Sequence, residues 1–150
     1  MKVFVAILAL VACVSAEEWT VKTDDQIKEI STECLKEHPL SAEQINKIKN
    51  FVYPDEEEVR QYLLCAVVKS GVFCTHEGYD AGRVAKQIKM DLDEEEVKKA
   101  VEDCIAKFPK GDKANDVVVL ETHTCLMSST TGEKLKELLK KRRETAEKHE

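Results

Sequence analysis

Cysteine and histidine are the residues of this chain best suited to metal binding or catalysis, and they occur in two short pairs. Cys74-Thr75-His76 and His123-Thr124-Cys125 each place two metal-binding side chains two positions apart. A zinc site needs four converging ligands, and neither pair has the spacing of a zinc motif. The sequence therefore predicts no metal site and no cofactor.

Catalytic patterns are equally weak. The four histidines and the pair Ser128-Ser129 belong to no nucleophile or zinc-protease motif. Two acidic clusters, 56–58 and 93–96, lie where helices are expected to begin, and negative charge is favourable there. Neither cluster has the alternating oxygen ligands of an EF-hand. We therefore expect a protein that is not an enzyme.

The first sixteen residues, MKVFVAILALVACVSA, have the charged start, apolar core and small final residues of a secretory signal peptide. We expect cleavage before Glu17 and a secreted, extracellular protein. The apolar core is shorter than the ~20 residues that span a bilayer, so stable membrane insertion is not expected. The net charge of −6 argues against nucleic acid as a partner.

Removing residues 1–16 takes away Cys13 and leaves five of the six cysteines. An oxidising compartment favours disulfides. An odd number of cysteines leaves at least one without an intramolecular partner, and composition alone does not choose the pairs.

Helix signals recur from Thr23 onward, each a polar cap followed by apolar residues at spacings of three and four. Thr23 with Gln26 and Ser41 with Gln44 predict two capping boxes. Further helices are expected to start at Asp55, near Asp80 and at Asp93, and a sixth to lie in 114–129. The predicted class is all-α, a compact bundle of about six helices with a C-terminal helical extension, and apolar periodicity alone favours a packed core over a cavity between the helices.

Two segments need separate interpretation. The run Val117-Val118-Val119-Leu120 resembles a strand, but we predict helix, because a lone strand would lack a ladder partner. The charged segment 132–150 is predicted as an extension of the domain 17–131. Its stripe of Leu135, Leu138 and Leu139 either covers the mouth of a cavity or docks on the outside.

The cysteine positions and their surroundings resemble the insect odorant-binding proteins, the pheromone and general odorant-binding family, over about residues 23–129. The stretch CAVVKSGVF is similar to the family's third cysteine, followed by the glycine that ends its third helix. In the family's order of six cysteines, the first, third, fourth and sixth correspond to Cys34, Cys65, Cys104 and Cys125.

The family's second and fifth cysteines, which bond to each other, would fall at Gln61 and Asp116. Their joint absence is similar to the so-called Minus-C subgroup. The resemblance implies the disulfides Cys34–Cys65 and Cys104–Cys125. A missing bond between Gln61 and Asp116 is expected to loosen the third helix from the sixth and to broaden ligand range.

Cys74 departs from the family pattern. It is predicted as a free thiol, buried as a small apolar side chain. An intermolecular bond, or competition with Cys34 or Cys65 for a partner, stays open.

The resemblance implies a transport protein, a secreted carrier of small hydrophobic molecules such as odorants, pheromones or fatty-acid-like compounds. Tyr53 and His123 are the expected polar groups of its cavity, and because histidine titrates near neutral pH, acidification is expected to weaken binding. The predicted ligand-binding residues are Phe51, Tyr53, Val59, Leu63, Val67, Val84, Ile88, Val101, Val119 and His123.

A chemosensory receptor is a further candidate partner, and a monomer or weak dimer is expected. The alternatives are a secreted helical signalling or interaction protein with a packed core and no small-molecule ligand, and a lipid carrier of the same fold outside olfaction.

Overall fold

The computed structural model describes residues 18–149. The predicted signal peptide and its cleavage site lie outside this range. The described part contains seven helices and one two-stranded antiparallel sheet. In chain order the elements are α1 (Asp24–Glu37), α2 (Ala42–Lys49), α3 (Glu57–Lys69), β1 (Phe73–Cys74), β2 (Gly78–Tyr79), α4 (Ala81–Ile88), α5 (Glu94–Lys107), α6 (Asn115–Ser128) and α7 (Thr130–Lys148). No helix among the described residues is long and apolar enough to cross a membrane.

The all-α class is confirmed, with six helices forming the bundle and α7 as the extension. Both predicted capping boxes are present. The Thr23 and Ser41 side chains accept hydrogen bonds from the backbone N–H groups of Gln26 and Gln44, and each glutamine side chain returns a bond to its cap. Asp93 caps α5 in the predicted place.

The predicted cap of α3 is wrong. Glu56 occupies the N-cap position and its side chain makes no capping hydrogen bond. The carboxylate of Asp55 pairs instead with the guanidinium of Arg60 one turn into the helix. An ion pair therefore takes the place of the cap.

Helix α6 contains the valine run that resembles a strand. The run is helical, as predicted, because α6 lies against α3, α5 and α7 and buries residues around most of its circumference. Its buried residues are Val118, Val119, Leu120, Thr122, Leu126 and Met127. Burial on several sides outweighs the small helix penalty of β-branched residues.

The short hairpin between α3 and α4 was not predicted from the sequence. Phe73 pairs with Tyr79 and Cys74 with Gly78, and the two aromatic rings meet edge to face with centroids 5.0 Å apart. Gly78 has a φ of +90°, which glycine adopts at little cost. Strands of two residues are too short to show the alternation of apolar and polar residues by which a strand is recognised in a sequence.

Two disulfide bonds join described residues. Cys34–Cys65 ties α1 to α3, and Cys104–Cys125 ties α5 to α6, which are the pairings that the family resemblance implies.

The free thiol predicted at Cys74 is wrong for this structure. No described cysteine is free, and Cys74 is disulfide-bonded.

Helix α7 follows α6 after a single residue, Ser129, whose hydroxyl accepts a hydrogen bond from the N–H of Gly132. At Gly132 the two helices touch backbone to backbone. A Cβ there would lie 2.7 Å from the Cα of Met127 and closer still to the carbonyl oxygen of Leu126. Only glycine fits this joint.

The N-terminal segment is fastened by Trp19, the only tryptophan in the chain. Its indole N–H donates to the carbonyl oxygen of Ser70 at 2.9 Å. Two cations lie over its ring, with Lys22 Nζ at 5.9 Å and the Arg83 guanidinium at 5.5 Å from the centroid. Gly71 has a φ of +77°, and a Cβ on it would lie 2.8 Å from the indole. Glycine is therefore required at position 71 for two reasons: the positive φ, and the space that the Trp19 ring occupies.

We expect Cys104→Ala/Cys125→Ala to lower the free energy of unfolding by about 3–4 kcal/mol, because the unfolded chain regains loop entropy. Urea unfolding followed by circular dichroism measures this change. The pair Cys34→Ala/Cys65→Ala provides a matched comparison. Equal stability of either double variant and the wild-type chain would contradict the expectation.

We also expect Gly71→Ala to destabilise the fold by about 1–2 kcal/mol, because alanine is strained at positive φ. It should also expel Trp19 into water, which tryptophan fluorescence reports as a red shift. The matched control is Gly82→Ala inside α4, where alanine is a better helix former than glycine. A red shift in both variants, or in neither, would show that Gly71 does not seat Trp19.

Candidate functional site

Two groups of buried apolar residues fill the bundle. The α3–α6 cluster consists of Val59, Leu63, Phe73, Val118, Val119 and Leu120. The α4–α5 cluster consists of Val72, Val84, Ala85, Val97, Val101, Cys104 and Leu126. Helix α6 contributes to both clusters.

The predicted ligand-binding residues are divided between these clusters. Three of them, Val59, Leu63 and Val119, are core members of the α3–α6 cluster, and Tyr53 packs against it. Val84, Val101 and Ile88 belong to or pack against the α4–α5 cluster. Val67 packs against both clusters. The ten residues therefore do not surround one common point.

Phe51 lies apart from both clusters. It has a φ of +62°, at the end of α2, and its half-buried ring faces the guanidinium of Arg143 in α7 at 5.1 Å. The structure gives Phe51 a contact with the C-terminal helix and not the interior position predicted for it.

Tyr53 and His123, the two predicted polar groups, are brought together. Their rings meet edge to face with centroids 4.4 Å apart. The Nε2 atom of His123 is buried and has no hydrogen-bond partner in the described part of the chain. Tyr53 comes from the loop before α3 and His123 from α6, so the pair closes one edge of the α3–α6 cluster.

The expected titration of His123 near neutral pH is wrong for this structure, while the weakening of ligand binding by acid stays a prediction. Burial lowers the pKa of His123 to about 4, because an imidazolium without solvent or a counter-ion is unfavourable. Burial also raises the pKa of Tyr53 to about 12, against a smaller opposing effect of the Arg143 charge. Both side chains are therefore neutral at pH 7.

Two other buried polar atoms of α6 lack partners among the described residues, Asn115 Oδ1 and Thr122 Oγ1. Buried polar atoms normally have hydrogen-bond partners, and each exception calls for an explanation such as water, an ion or a ligand. All three exceptions lie on the most buried helix.

Two pockets open beside these elements. One, of about 820 Å³, lies between the N-terminal segment and the hairpin, and contains none of the predicted ligand-binding residues. The other, of about 550 Å³, contains Tyr53 together with Phe108, Leu120 and Thr124. Charged side chains border both pockets, so we place the candidate site at the smaller one, because it contains a predicted ligand-binding residue, Tyr53, and the larger one contains none.

One trio of metal-binding residue types comes together. Ligand atoms of Glu37, His38 and Cys65 lie within 4.8 Å of one another. The Cys65 sulfur is bonded to Cys34 and offers no thiolate. Glu37 accepts a hydrogen bond from Lys69, which holds the pKa of that carboxyl below its usual value. These residues do not fit a metal ion.

The positions of the two absent cysteines are bridged in another way. Arg60, next to Gln61 in α3, donates from Nε to Asp116 Oδ2 of α6 at 2.9 Å. Both side chains are largely buried. An ion pair therefore connects α3 to α6 where the family's second disulfide would lie, and a looser attachment than a disulfide gives stays a prediction. The broader ligand range stays a prediction.

Sequence reasoning missed several residues of the α3–α6 cluster. Phe73 and Tyr79 come from the unpredicted hairpin. The hydroxyl groups of Tyr62 and of Ser31 in α1 share a hydrogen bond of 2.8 Å. Val118 and Leu120 flank Val119 in the buried run. The all-round apolar pattern of α6 was the available signal for the last two.

Helix α7 docks on the bundle through the predicted leucine stripe. Leu135 is 1% exposed, and Leu138 and Leu139 are half-buried. Arg142 pairs with Asp24 at the start of α1, at 2.9 Å, and Arg143 donates to the carbonyl oxygen of Lys49 at the end of α2. Covering of a ligand site by α7 stays a prediction.

A helical bundle closed by disulfides, with an uncharged polar pair at the edge of an apolar cluster, is an architecture suited to binding and not to catalysis. Residues 16–129 match the PBP/GOBP family, and the chain belongs to it. This is a family of binding proteins and not of enzymes. The match ends one residue before α7 begins.

Three curated relatives are similar to the chain. It is 33% identical to Odorant-binding protein 22 of Aedes aegypti over 107 residues, which cover 71% of this chain and 77% of that protein. It is 30% identical to General odorant-binding protein 99a of Drosophila melanogaster over 88 residues, 59% of this chain and 61% of that one. General odorant-binding protein 99b of the same species is 30% identical over 94 residues, 59% of this chain and 63% of that one. The chain thus spans less than two thirds of each Drosophila protein.

The lowered pKa of His123 predicts that the free energy of unfolding depends on pH. Between its usual value of 6.5 and about 4, the unfolded chain binds a proton at this residue and the folded chain does not. Stability is therefore lost as the pH falls through this window, by up to about 3 kcal/mol. Urea unfolding at pH 7 and at pH 4 should show a smaller loss in His123→Phe than in the wild-type chain.

The control is His149→Phe, at an exposed position near the C-terminus. We expect it to lose as much stability as the wild-type chain. An identical loss in His123→Phe would mean that the imidazole is not buried neutral in the folded protein.

Proposed function

We propose that this protein is a secreted carrier that reversibly binds small hydrophobic molecules, such as odorants, pheromones or fatty-acid-like compounds, between its helices. Membership of the PBP/GOBP family and the names of the three relatives support the carrier function. The signal pattern of residues 1–16 supports secretion.

The observation that carries the proposal is the position of the Tyr53–His123 pair. Tyr53 packs against the α3–α6 cluster and also lines the 550 Å³ pocket, and its ring contacts that of His123. Small-molecule sites are typically apolar spaces of this size, with few polar groups that orient the ligand. Val59 and Val119, both fully buried, provide apolar surface behind the pair.

Binding energy would come from removing the ligand's apolar surface from water. At roughly 25 cal/mol per Å², a chain that buries about 300 Å² gains about 7 kcal/mol before the entropy cost of binding is subtracted. Even before that cost, about 7 kcal/mol corresponds to a dissociation constant of about 10 μM, so apolar burial of this extent gives weak, reversible binding. Reversible transport requires no tighter binding.

The test is titration of the oxidised, processed protein with an apolar fluorescent probe. We expect saturable binding at about one site per chain, and displacement by aliphatic alcohols or fatty acids. No saturable binding at micromolar probe would reject the carrier function.

A larger side chain that fills the proposed site should weaken probe binding. We expect Val119→Phe, which places a larger side chain behind the pair, to weaken probe binding by at least about tenfold, although overpacking also lowers stability by about 1–3 kcal/mol. The control is Val68→Phe on the exposed side of α3, where the valine is 39% exposed. Equal affinity of the two variants would place the ligand away from α6.

A further inference from the structure

The last part of α7 contains the only run of four consecutive cations in the sequence, Lys140-Lys141-Arg142-Arg143. All residues from 140 to 149 are exposed, whereas Leu139, the residue before the run, is half-buried. The run therefore begins where the helix stops packing on the bundle and continues into solvent.

Surface contacts attach the run to the bundle. Arg142 pairs with Asp24, and 57% and 76% of these two side chains are exposed, so the ion pair adds little stability. Arg143 lies over the ring of Phe51 and donates to the carbonyl oxygen of Lys49. These contacts hold the run against the surface without burying it.

Beyond the run, the described residues 144–149 form hydrogen bonds only within α7, such as that from Thr145 Oγ1 to the carbonyl oxygen of Lys141. Unwinding the helix from its C-terminal end therefore removes no buried side chain from the core. The ends of chains open in this way at a low cost in free energy. The backbone of the run thus becomes extended and accessible without unfolding of the bundle.

The other pair of adjacent cations in the chain, Lys98-Lys99, lies in a different environment. It is in the middle of α5, close to the buried residues Val97 and Val101. A disulfide also ties α5 to α6. Extending the backbone at Lys98-Lys99 would require α5 to leave the core, so only the run in α7 combines adjacent cations with an accessible backbone.

Adjacent cations on an accessible backbone have the chemistry of an endoprotease substrate. Enzymes that cleave after paired basic residues bind each cation in a pocket lined by carboxylates, through charge-assisted hydrogen bonds. They bind the substrate in an extended conformation, which the opened end of α7 provides. Proteolysis of a transiently opened segment depends on how often the segment opens, and opening is frequent where little packing is lost.

We propose that an endoprotease of the secretory pathway, specific for paired basic residues, cleaves this chain after Arg143. The Arg143–Glu144 peptide bond breaks, and one water molecule supplies the hydroxyl of the new carboxyl group and the hydrogen of the new amine. The step removes residues 144–150, which contain three glutamates and one lysine, a net charge of −2. The shortened α7 then ends in four cations, which are favourable at the C-terminus of a helix. This inference rests on the proposed secretion and is independent of ligand binding.

The test is the intact mass of the protein that cultured insect cells secrete when they express the full chain. We expect the main species in the medium to end at Arg143, or between Leu139 and Arg143 where an exopeptidase has removed cations. Arg143→Gln and Arg142→Gln should each lower the ratio of cleaved to intact chain by about tenfold or more, because each removes a charge-assisted contact to the protease. A peptidyl chloromethyl ketone that inhibits such proteases should have the same effect on the wild-type chain.

The matched control is Lys148→Gln, which removes a cation from the same exposed end of α7 but outside the run. It should be cleaved to the same extent as the wild-type chain. Circular dichroism of each secreted variant verifies the helical fold.

The outcomes separate this inference from the proposed function. A wild-type chain in the medium that still ends at Glu150 would overturn the cleavage and leave secretion and the carrier function standing. Equal cleavage of the wild-type chain and Arg143→Gln, or loss of cleavage in Lys148→Gln, would show that the run is not what the protease recognises, and would also overturn it. Retention of the intact chain inside the cells would overturn secretion and cleavage together.

Discussion

The burial of α6 is the constraint on which the rest of this structure depends. The helix packs against α3, α5 and α7 and supplies residues to both apolar clusters. A helix surrounded in this way has little surface on which polar side chains reach water. Its unpaired polar atoms at Asn115, Thr122 and His123 are therefore costly to the folded state, and a site that hydrogen-bonds one of them gains more than it would at the surface.

Covalent and ionic links arrange the other helices around α6. One disulfide joins α1 to α3, the Arg60–Asp116 ion pair joins α3 to α6, and the second disulfide joins α6 to α5. These three links join α1, α3, α6 and α5 in series. The middle link is the one that water and salt can weaken, so the distance between α3 and α6 is fixed less firmly than the two distances held by sulfur.

The sequence predicts the helices well because their signals are local. The capping boxes at Thr23 and Ser41 and the apolar stripes depend on residues within one turn or two. What it misses depends on contacts distant in the chain or on very short elements. The hairpin has only two residues in each strand. Asp55 forms an ion pair with Arg60 in place of the expected helix cap. Phe51 contacts the guanidinium of Arg143, which lies far along the chain.

Part of the candidate site was also predictable. The pairing of Tyr53 with His123 joins two residues named from the sequence for their polarity, but the neutral state of the imidazole follows from burial, which no local pattern reports. The division of the apolar residues into two clusters likewise depends on how the helices cross.

The backbone contact at Gly132 limits how this chain can vary over evolution. With one residue between α6 and α7, and no room for a methyl group at Gly132, the joint is expected to reject insertions and any larger residue at position 132. The solvent-exposed residues 140–149 have no such restriction. Lineages of this protein are therefore expected to differ in the length of the final helix, and to keep the place where it begins.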